Sequence, residues 1–361
     1  MFDQRPLLVF WESTKACLLS CKHCRAEAIT NPLPDELSSD DAKLLIEQVR
    51  DFGKPYPIMI FTGGDLLMRR DIFGLIKFAR DLGIKVSVSP SVTPLLNRES
   101  LKKFRDLEVS SISISLDSSD PNIHDEIRGV SGTFERSLKI IKQALSMGLD
   151  LQVNTVVMKK NLRDLPFIYK LIRNLGIDVW EIFFLIKTGR ALEEQDLTKE
   201  EYEAVCNFLY DISCTKTVIR CIEAPFIRRI AKLRSDKAYE FKNELYRALT
   251  SSLYKEYKYE STISLKPILD GDGIIFVSYN GNIFPGGFLP LYLGNIKEIS
   301  LVDVYKNHKI LVNIRNRNLK GYCGICEYKK ICGGSRARAY SYYNDPLERD
   351  PACILNSEEN S

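Results

Sequence analysis

The sequence predicts an α/β protein: an open, partial (β/α)6 TIM-like barrel, a basic helical linker, and a small irregular α+β module. Three observations carry that reading. Apolar, β-branched runs alternate with amphipathic segments from residue 7 to about 215, the pattern of parallel strands joined by helical crossovers. A basic, tyrosine-rich stretch over 226–260 then interrupts it, and from 262 onward short strands and Gly/Asn/Pro turns take over. Seven of the ten cysteines fall into two tight groups, one in each outer part of the chain. The expected boundaries are therefore 1–215, 216–261 and 262–361.

The elements follow in order. The run 7–12 (LLVFWE) leads straight into the first cysteine group, and further strands are expected over 57–62, 84–89, 111–117, 150–157 and 179–186. Helices are expected over 40–52, 70–82, 97–107, 133–147, 162–175 and 199–212. In the second of these, Ile72, Phe73, Ile76 and Ala79 keep close to the i, i+3, i+4, i+7 spacing of one helix face. Ser39 and Ser131 supply N-cap residues just ahead of two helices. A full eight-stranded barrel takes about 250 residues, more than these units occupy. A doubly wound sheet usually brings a phosphate loop or dinucleotide fingerprint, and the sequence has neither. In either architecture the chemistry belongs at the C-terminal ends of the strands. Beyond the barrel, a linker strand leads into the helical 226–260 segment. The stretch IIFVSYNGNIFP reads as a hairpin turning at Asn280-Gly281.

Composition narrows the function classes. At 45% apolar and 27% charged the chain is neither disordered nor fibrous, and no stretch approaches the ~18 apolar residues of a membrane helix. The N-terminus lacks a basic n-region and a cleavage site, so a cytoplasmic location is expected. Net charge is +4, and the 226–260 segment alone, with nine Lys/Arg against five Asp/Glu, equals that excess. Nucleic acid is not an expected partner. Tyr239, Tyr246, Tyr254, Tyr257 and Tyr259, on one helical stretch, read as packed rather than as a base-stacking platform. Clustered cysteines in a long chain of a reducing compartment point to metal rather than disulfides.

Cys17, Cys21 and Cys24 form a C-x3-C-x2-C. Three thiolates on one loop hold three corners of a metal site and cannot close the four-ligand site of structural zinc. An iron–sulfur cluster held this way keeps one iron open for chemistry. C-x3-C-x2-C directly after the first strand of a βα array resembles the radical S-adenosylmethionine (radical SAM) superfamily. The resemblance implies a 4Fe–4S cluster on those cysteines, with S-adenosylmethionine on the open iron. It also implies an external donor such as a ferredoxin or flavodoxin, and reductive cleavage to a 5′-deoxyadenosyl radical that takes hydrogen from a substrate. Thr62-Gly63-Gly64-Asp65 resembles the family's Gly-Gly-Glu element, which implies that Gly63, Gly64 and Asp65 meet the methionine amino group. Ser115 and Asp117, which with Ser113 share one face by alternation, together with Asn154, match the polar positions near the cofactor. Arg128 matches an arginine that meets its carboxylate, and His23 fills the usually aromatic slot beside adenine.

Cys323-x2-Cys326-x5-Cys332-x20-Cys353 supplies four thiolates, enough for zinc or for a second 4Fe–4S cluster. The spacing resembles the C-terminal auxiliary-cluster (SPASM or twitch) module of radical enzymes. The extended form usually has a cysteine after the proline of Pro285-Gly286, and here that position is glycine; one auxiliary cluster is the expected count. Cys206, Cys214 and Cys221 are expected to be packing residues. The runs Trp11-Glu-Ser-Thr-x-Ala-Cys17, Arg25-Ala-Glu-Ala and Cys332-Gly-Gly-Ser-Arg336-Ala-Arg338 resemble haem-biosynthesis radical enzymes. That implies a tetrapyrrole substrate whose carboxylates meet Arg336, Arg338 and the basic 226–260 segment. Two other readings stand beside it: a maturase of a ribosomal peptide, protein or metal cofactor, and a non-enzymatic iron–sulfur or nucleic-acid-binding protein. The usual N-terminal peptide-binding domain is not expected, because the first strand begins near Leu7.

Overall fold

The computed structural model describes residues 2–236, 239–253 and 259–355. The first half is a run of parallel strands and covering helices: β1 (Leu8–Glu12), α1 (Ser39–Arg50), β2 (Ile58–Thr62), α2 (Ile72–Asp81), β3 (Val86–Val88), α3 (Arg98–Asp106) and β4 (Ser111–Ser115). It continues with α4 (Pro121–Arg128), α5 (Thr133–Ser146), β5 (Leu151–Val157), α6 (Leu165–Asn174), β6 (Val179–Phe184), α7 (Lys199–Ser213) and β7 (Val218–Ile222). The linker strand expected after 215 is thus β7, and it pairs parallel with β6 as a seventh strand of the same sheet.

Strand alternation sets the two faces. In β5, Leu151, Val153, Thr155 and Val157 are buried while Gln152, Asn154 and Val156 are only partly covered. The first set packs under the helices and the second lines the barrel lumen. Helix starts are written locally. Ser38 and Asp41 close a capping box on α1, Asn97 and Ser100 on α3, and Thr198 and Glu201 on α7. The short α4 is set by Asp120, whose carboxylate accepts the Asn122 and Ile123 N–H groups, with Pro121 in the first turn.

The 226–260 segment is not one helix. It contains α8 (Ile227–Arg234) and α9 (Glu244–Thr250), the latter begun by an Asn243 cap; Lys237, Ala238, Tyr254 and Tyr257 lie outside the described residues. Two of its arginines are turned inward. Arg229 pairs with Glu203 at 2.5 Å, both almost fully buried, and Arg234 with Asp211 at 2.5 Å. Tyr246 donates its hydroxyl to Asp211 at 2.7 Å. These two charges are spent against α7. Cys206 is fully buried on α7 beside Cys221 of β7.

The remaining elements are β8 (Leu269–Asp270), β9 (Gly273–Val277), β10 (Asn282–Phe284), β11 (Gly294–Asn295), α10 (Leu301–Asn307), α11 (Lys309–Arg315), α12 (Gly321–Ile325) and α13 (Arg336–Tyr343). β9 lies parallel to β1, with Leu8 opposite Ile274 and Trp11 opposite Val277. The sheet runs β11-β10-β9-β1-β2-β3-β4-β5-β6-β7. The strand that leads into the first cysteine group is therefore paired on both edges. The expected hairpin is present between β9 and β10, with a wider turn than Asn280-Gly281 alone. Ser278 and Asn282 close it at 2.9 Å, with Gly281 at φ +90° inside.

Candidate functional site

All of the strand-end loops meet at one face. The cysteine loop leaves β1 and is tied to the barrel by backbone bonds: Cys17 N–H to Ile29 O (2.8 Å), Ser20 N–H to Arg128 O (3.2 Å) and Lys22 N–H to Ile127 O (2.9 Å). Arg190, after β6, clamps it further. Its backbone N–H donates to Cys24 O at 3.1 Å, and its guanidinium donates to Cys21 O at 2.9 Å and Ala28 O at 3.1 Å. The three cysteines pack together with Leu19, Ala28 and Val130.

The sulfurs have polar support. Leu19 N–H points at Cys17 Sγ (3.4 Å), Ser91 Oγ lies 3.5 Å from the same sulfur, and an Arg128 guanidinium N–H faces Cys21 Sγ at 3.8 Å. Burial pushes the Cys17 and Cys21 thiols up, the latter against the pull of Arg128. Arg128 pairs with fully buried Asp117 at 2.6 Å. For Asp117 burial pushes the carboxyl up, but Arg128, His23 and His124 outweigh it and hold it below its usual range.

The Gly-Gly-Asp element serves the loop as much as any ligand. A Cβ at Gly64 would sit 2.3 Å from Ala16 O, and one at Gly63 2.6 Å from Thr14 O. Only glycine lets the two strand-end loops approach this closely. Gly64 and Asp65 N–H groups donate to Thr14 O (2.8 Å) and Ala16 O (2.7 Å). The Asp65 carboxylate is fully buried and accepts from Thr93 Oγ1 (2.6 Å) and Leu67 N–H (3.1 Å). Ser115 and Asn154 are register partners facing the lumen, next to Glu181 and Arg220 in the same row. Asp117 leaves the face that alternation gave it, because β4 ends at Ser115 and the chain then turns inward. Its backbone N–H donates to His124 Nδ1 at 3.1 Å. His23 lies beside this group, and burial pulls it down to about 4. Its Nδ1 is buried without a hydrogen-bond partner among the described residues.

At the second cysteine group, Cys323 Sγ receives Asp350 N–H (3.3 Å) and an Arg336 guanidinium N–H (3.7 Å), and Cys332 Sγ receives Gly334 N–H (3.4 Å). Such donors are what supports thiolate ligands. Arg336 and Arg338 are 2% and 1% exposed. Arg336 is spent on Pro346 O (3.0 Å) and Glu348 O (2.6 Å), and Arg338 on Glu223 O (2.7 Å). Neither is open to a substrate carboxylate, which corrects the expectation drawn from sequence. At Gly286 an added Cβ would lie 1.8 Å from Asp270 Oδ1. The space where the extended module has a cysteine is filled by a carboxylate, which itself lies against Glu223.

The radical SAM superfamily pattern matches residues 11–172. Along 97% of this chain and 96% of its own length, the AdoMet-dependent heme synthase of Methanosarcina barkeri is 35% identical. The chain belongs to the radical SAM superfamily. The AdoMet-dependent heme synthase of Nitratidesulfovibrio vulgaris is 37% identical over 96% of the chain and 91% of its length. Among solved structures, Streptococcus suis SuiB bound to its precursor peptide SuiA superposes with a TM-score of 0.70 at 19% identity, covering 97% of this chain and 76% of that one. It shares the radical SAM fold. Membership makes the chain an enzyme of radical chemistry that uses a 4Fe–4S cluster and S-adenosylmethionine. No described helix is long and apolar enough to cross a membrane.

Sequence reasoning missed Ser91, Thr93 and Arg190. Each is a polar residue just past a strand end, and nothing in the spacing marks it. A cavity of about 440 Å³ opens between the end of β6 and α13, lined by Lys187, Phe288, Tyr340, Tyr342 and Tyr343 among others. It had no sequence signature either.

Proposed function

We propose that this enzyme removes propionate carboxyl groups from an iron tetrapyrrole, a step of haem-type biosynthesis. The carrying observation is the cavity lined by Phe288, Tyr340, Tyr342 and Tyr343 with Lys187 on its wall, a set of side chains suited to an aromatic, anionic macrocycle. It occurs in a chain related end to end to proteins named AdoMet-dependent heme synthase. Each side chain, –CH2–CH2–COO⁻, becomes –CH=CH2 by losing one hydrogen atom, one electron and CO2.

Cys17, Cys21 and Cys24 are assigned to the catalytic cluster, which fits their buried loop, their sulfur-directed donors and the neighbouring Arg128 cation. When bound, cluster and S-adenosylmethionine supply the radical that takes the hydrogen atom. The chain's own residues bind, orient and exclude water. Ser115 and Asn154 would present polar groups to the cofactor's ribose side, and His23 would offer it a neutral ring with an unpartnered Nδ1. Gly63, Gly64, Asp65, Asp117 and Arg128 keep the cysteine loop against the strand ends, where they would also meet the cofactor's methionine end. Cys323, Cys326, Cys332 and Cys353 are assigned to one auxiliary 4Fe–4S cluster, which would supply an acceptor for the electron the substrate gives up.

The test is anaerobic turnover of the reconstituted enzyme with S-adenosylmethionine, a flavodoxin donor and iron-coproporphyrin III. The expected products carry vinyl groups in place of propionates, by mass spectrometry. Cofactor cleavage with unaltered porphyrin, and modification of a peptide instead, would overturn the substrate assignment.

A further inference from the structure

The arginines around the cysteine loop are held by hydrogen bonds. Arg69 donates to Leu37 O at 2.8 Å, Arg128 reaches Asp117 at 2.6 Å, and Arg190 donates to Cys21 O at 2.9 Å. Arg25, the residue directly after Cys24, is different. Its side chain is only 20% exposed, yet its one ionic partner among the described residues is Glu12 at 3.5 Å. Its guanidinium donates no hydrogen bond to any described residue, and Glu12 Oε1 is likewise buried without a hydrogen-bond partner. A guanidinium has five N–H donors in a planar fork, and those of Arg25, on a side chain that keeps some contact with solvent, are open to a ligand.

The fork is nevertheless aimed. The guanidinium carbon lies 4.4 Å from the Phe276 ring centroid, so stacking fixes the plane of the group. The backbone beneath it is fixed as well. Arg190 N–H holds Cys24 O at 3.1 Å, and Gly189 packs so tightly that a Cβ there would meet Arg25 O at 2.5 Å. On the other side is Gly287, where a Cβ would come within 3.3 Å of Arg25 Nε and 3.4 Å of Phe276. The glycine lets the chain pass closely along the guanidinium and helps to hold it. The next residue, Phe288, lines the aromatic cavity.

We propose that Arg25 is a specificity-determining anchor: it receives one carboxylate of the substrate, bidentately, beside the cysteine loop. The inference rests on the substrate reading above, and it adds the residue that reads acid from neutral side chains. Bidentate Arg–carboxylate pairing supplies both the direction and the strength that a loose Glu12 contact does not. Holding a carboxylate one residue from the cysteine group would fix which side chain faces the reacting centre.

The test titrates iron-coproporphyrin III, and the tetra-amide of the same porphyrin, into anaerobically reconstituted holoenzyme, following the porphyrin's visible absorbance. Wild type should favour the acid. Arg25→Gln should weaken acid binding about 10- to 100-fold and leave amide binding close to wild type, with Arg25→Lys between them because it keeps charge but not the fork. Equal acid preference in wild type and Arg25→Gln would overturn the anchor while leaving the substrate class standing. Equal loss of acid and amide in the variant would also overturn it, by showing a merely structural role. If wild type binds neither porphyrin, the substrate reading itself fails.

Discussion

Arg190→Met tests whether the cysteine loop is pre-built by the polypeptide. The substitution keeps the aliphatic stem but removes two charged hydrogen bonds, to Cys21 O at 2.9 Å and Ala28 O at 3.1 Å. A hydrogen bond to a charged group contributes roughly 1.5–3 kcal/mol. Both are only partly buried, and water takes over part of their role, so the combined loss should be about 2–4 kcal/mol, confined to the loop. That lowers the equilibrium for the ordered loop about 30- to 1,000-fold. Far-ultraviolet circular dichroism should be unchanged, because the sheet and its helices do not depend on Arg190. Iron and sulfide content after reconstitution should fall, and chelator should bleach the remaining cluster faster. A variant that loads and bleaches like wild type would refute the reasoning, since the loop would then be organised by the cluster and not by Arg190.

Replacing Cys17, Cys21 and Cys24 together by Ala should lower iron from about eight to about four per chain if both cysteine groups hold four-iron clusters; a fall from four to zero, with zinc bound, would make the second group a zinc site. Gly286→Ala drives its Cβ to 1.8 Å from Asp270 Oδ1 and should lower stability by about 1–3 kcal/mol, with Asp270→Gly restoring most of it; simple additivity in denaturant melts would argue against the contact. His124 is fully buried, and burial pulls its pKa down to about 4, against the partial upward pull of Asp117. The unfolded chain, with histidine near 6.5, takes up the proton first as pH falls, so stability present above about 6.5 is lost progressively down to about 4, by up to ~3 kcal/mol. His124→Gln should flatten that part of the pH-stability curve, and an unchanged slope would show that another group causes it.

The strands were legible because each is a short apolar run with its own helix to cover it, and the cysteine groups because their spacing is short. α4 was overlooked for a physical reason: in eight residues it buries only His124 and Ile127, too few to make a periodic signal, though Asp120-Pro121 announced its start. The basic 226–260 segment misled because sequence shows how many cations there are and not where they point; Arg229 and Arg234 find Glu203 and Asp211 on a helix more than twenty residues earlier. The resemblance puts Asp65 and Asp117 among the cofactor contacts, and no sequence pattern reports that Thr93 and Arg128 meet their carboxylates. Pairing of β9 with β1 joins positions 8 and 274, and no local pattern reports a contact of that span.

That pairing has a consequence for biosynthesis. β1 emerges first from the ribosome with one edge destined for β9, which is translated about 265 residues later. At roughly 5–20 residues per second that edge stays open for about 13–53 s. Until β9 arrives, the strand feeding Cys17 is an unpaired template of the kind that invites wrong partners. The strand that feeds the cysteine loop therefore gains its second neighbour only after about three quarters of the chain has been made. A nascent chain stalled before residue 273 would carry Cys17, Cys21 and Cys24 at the end of a strand with one edge still open.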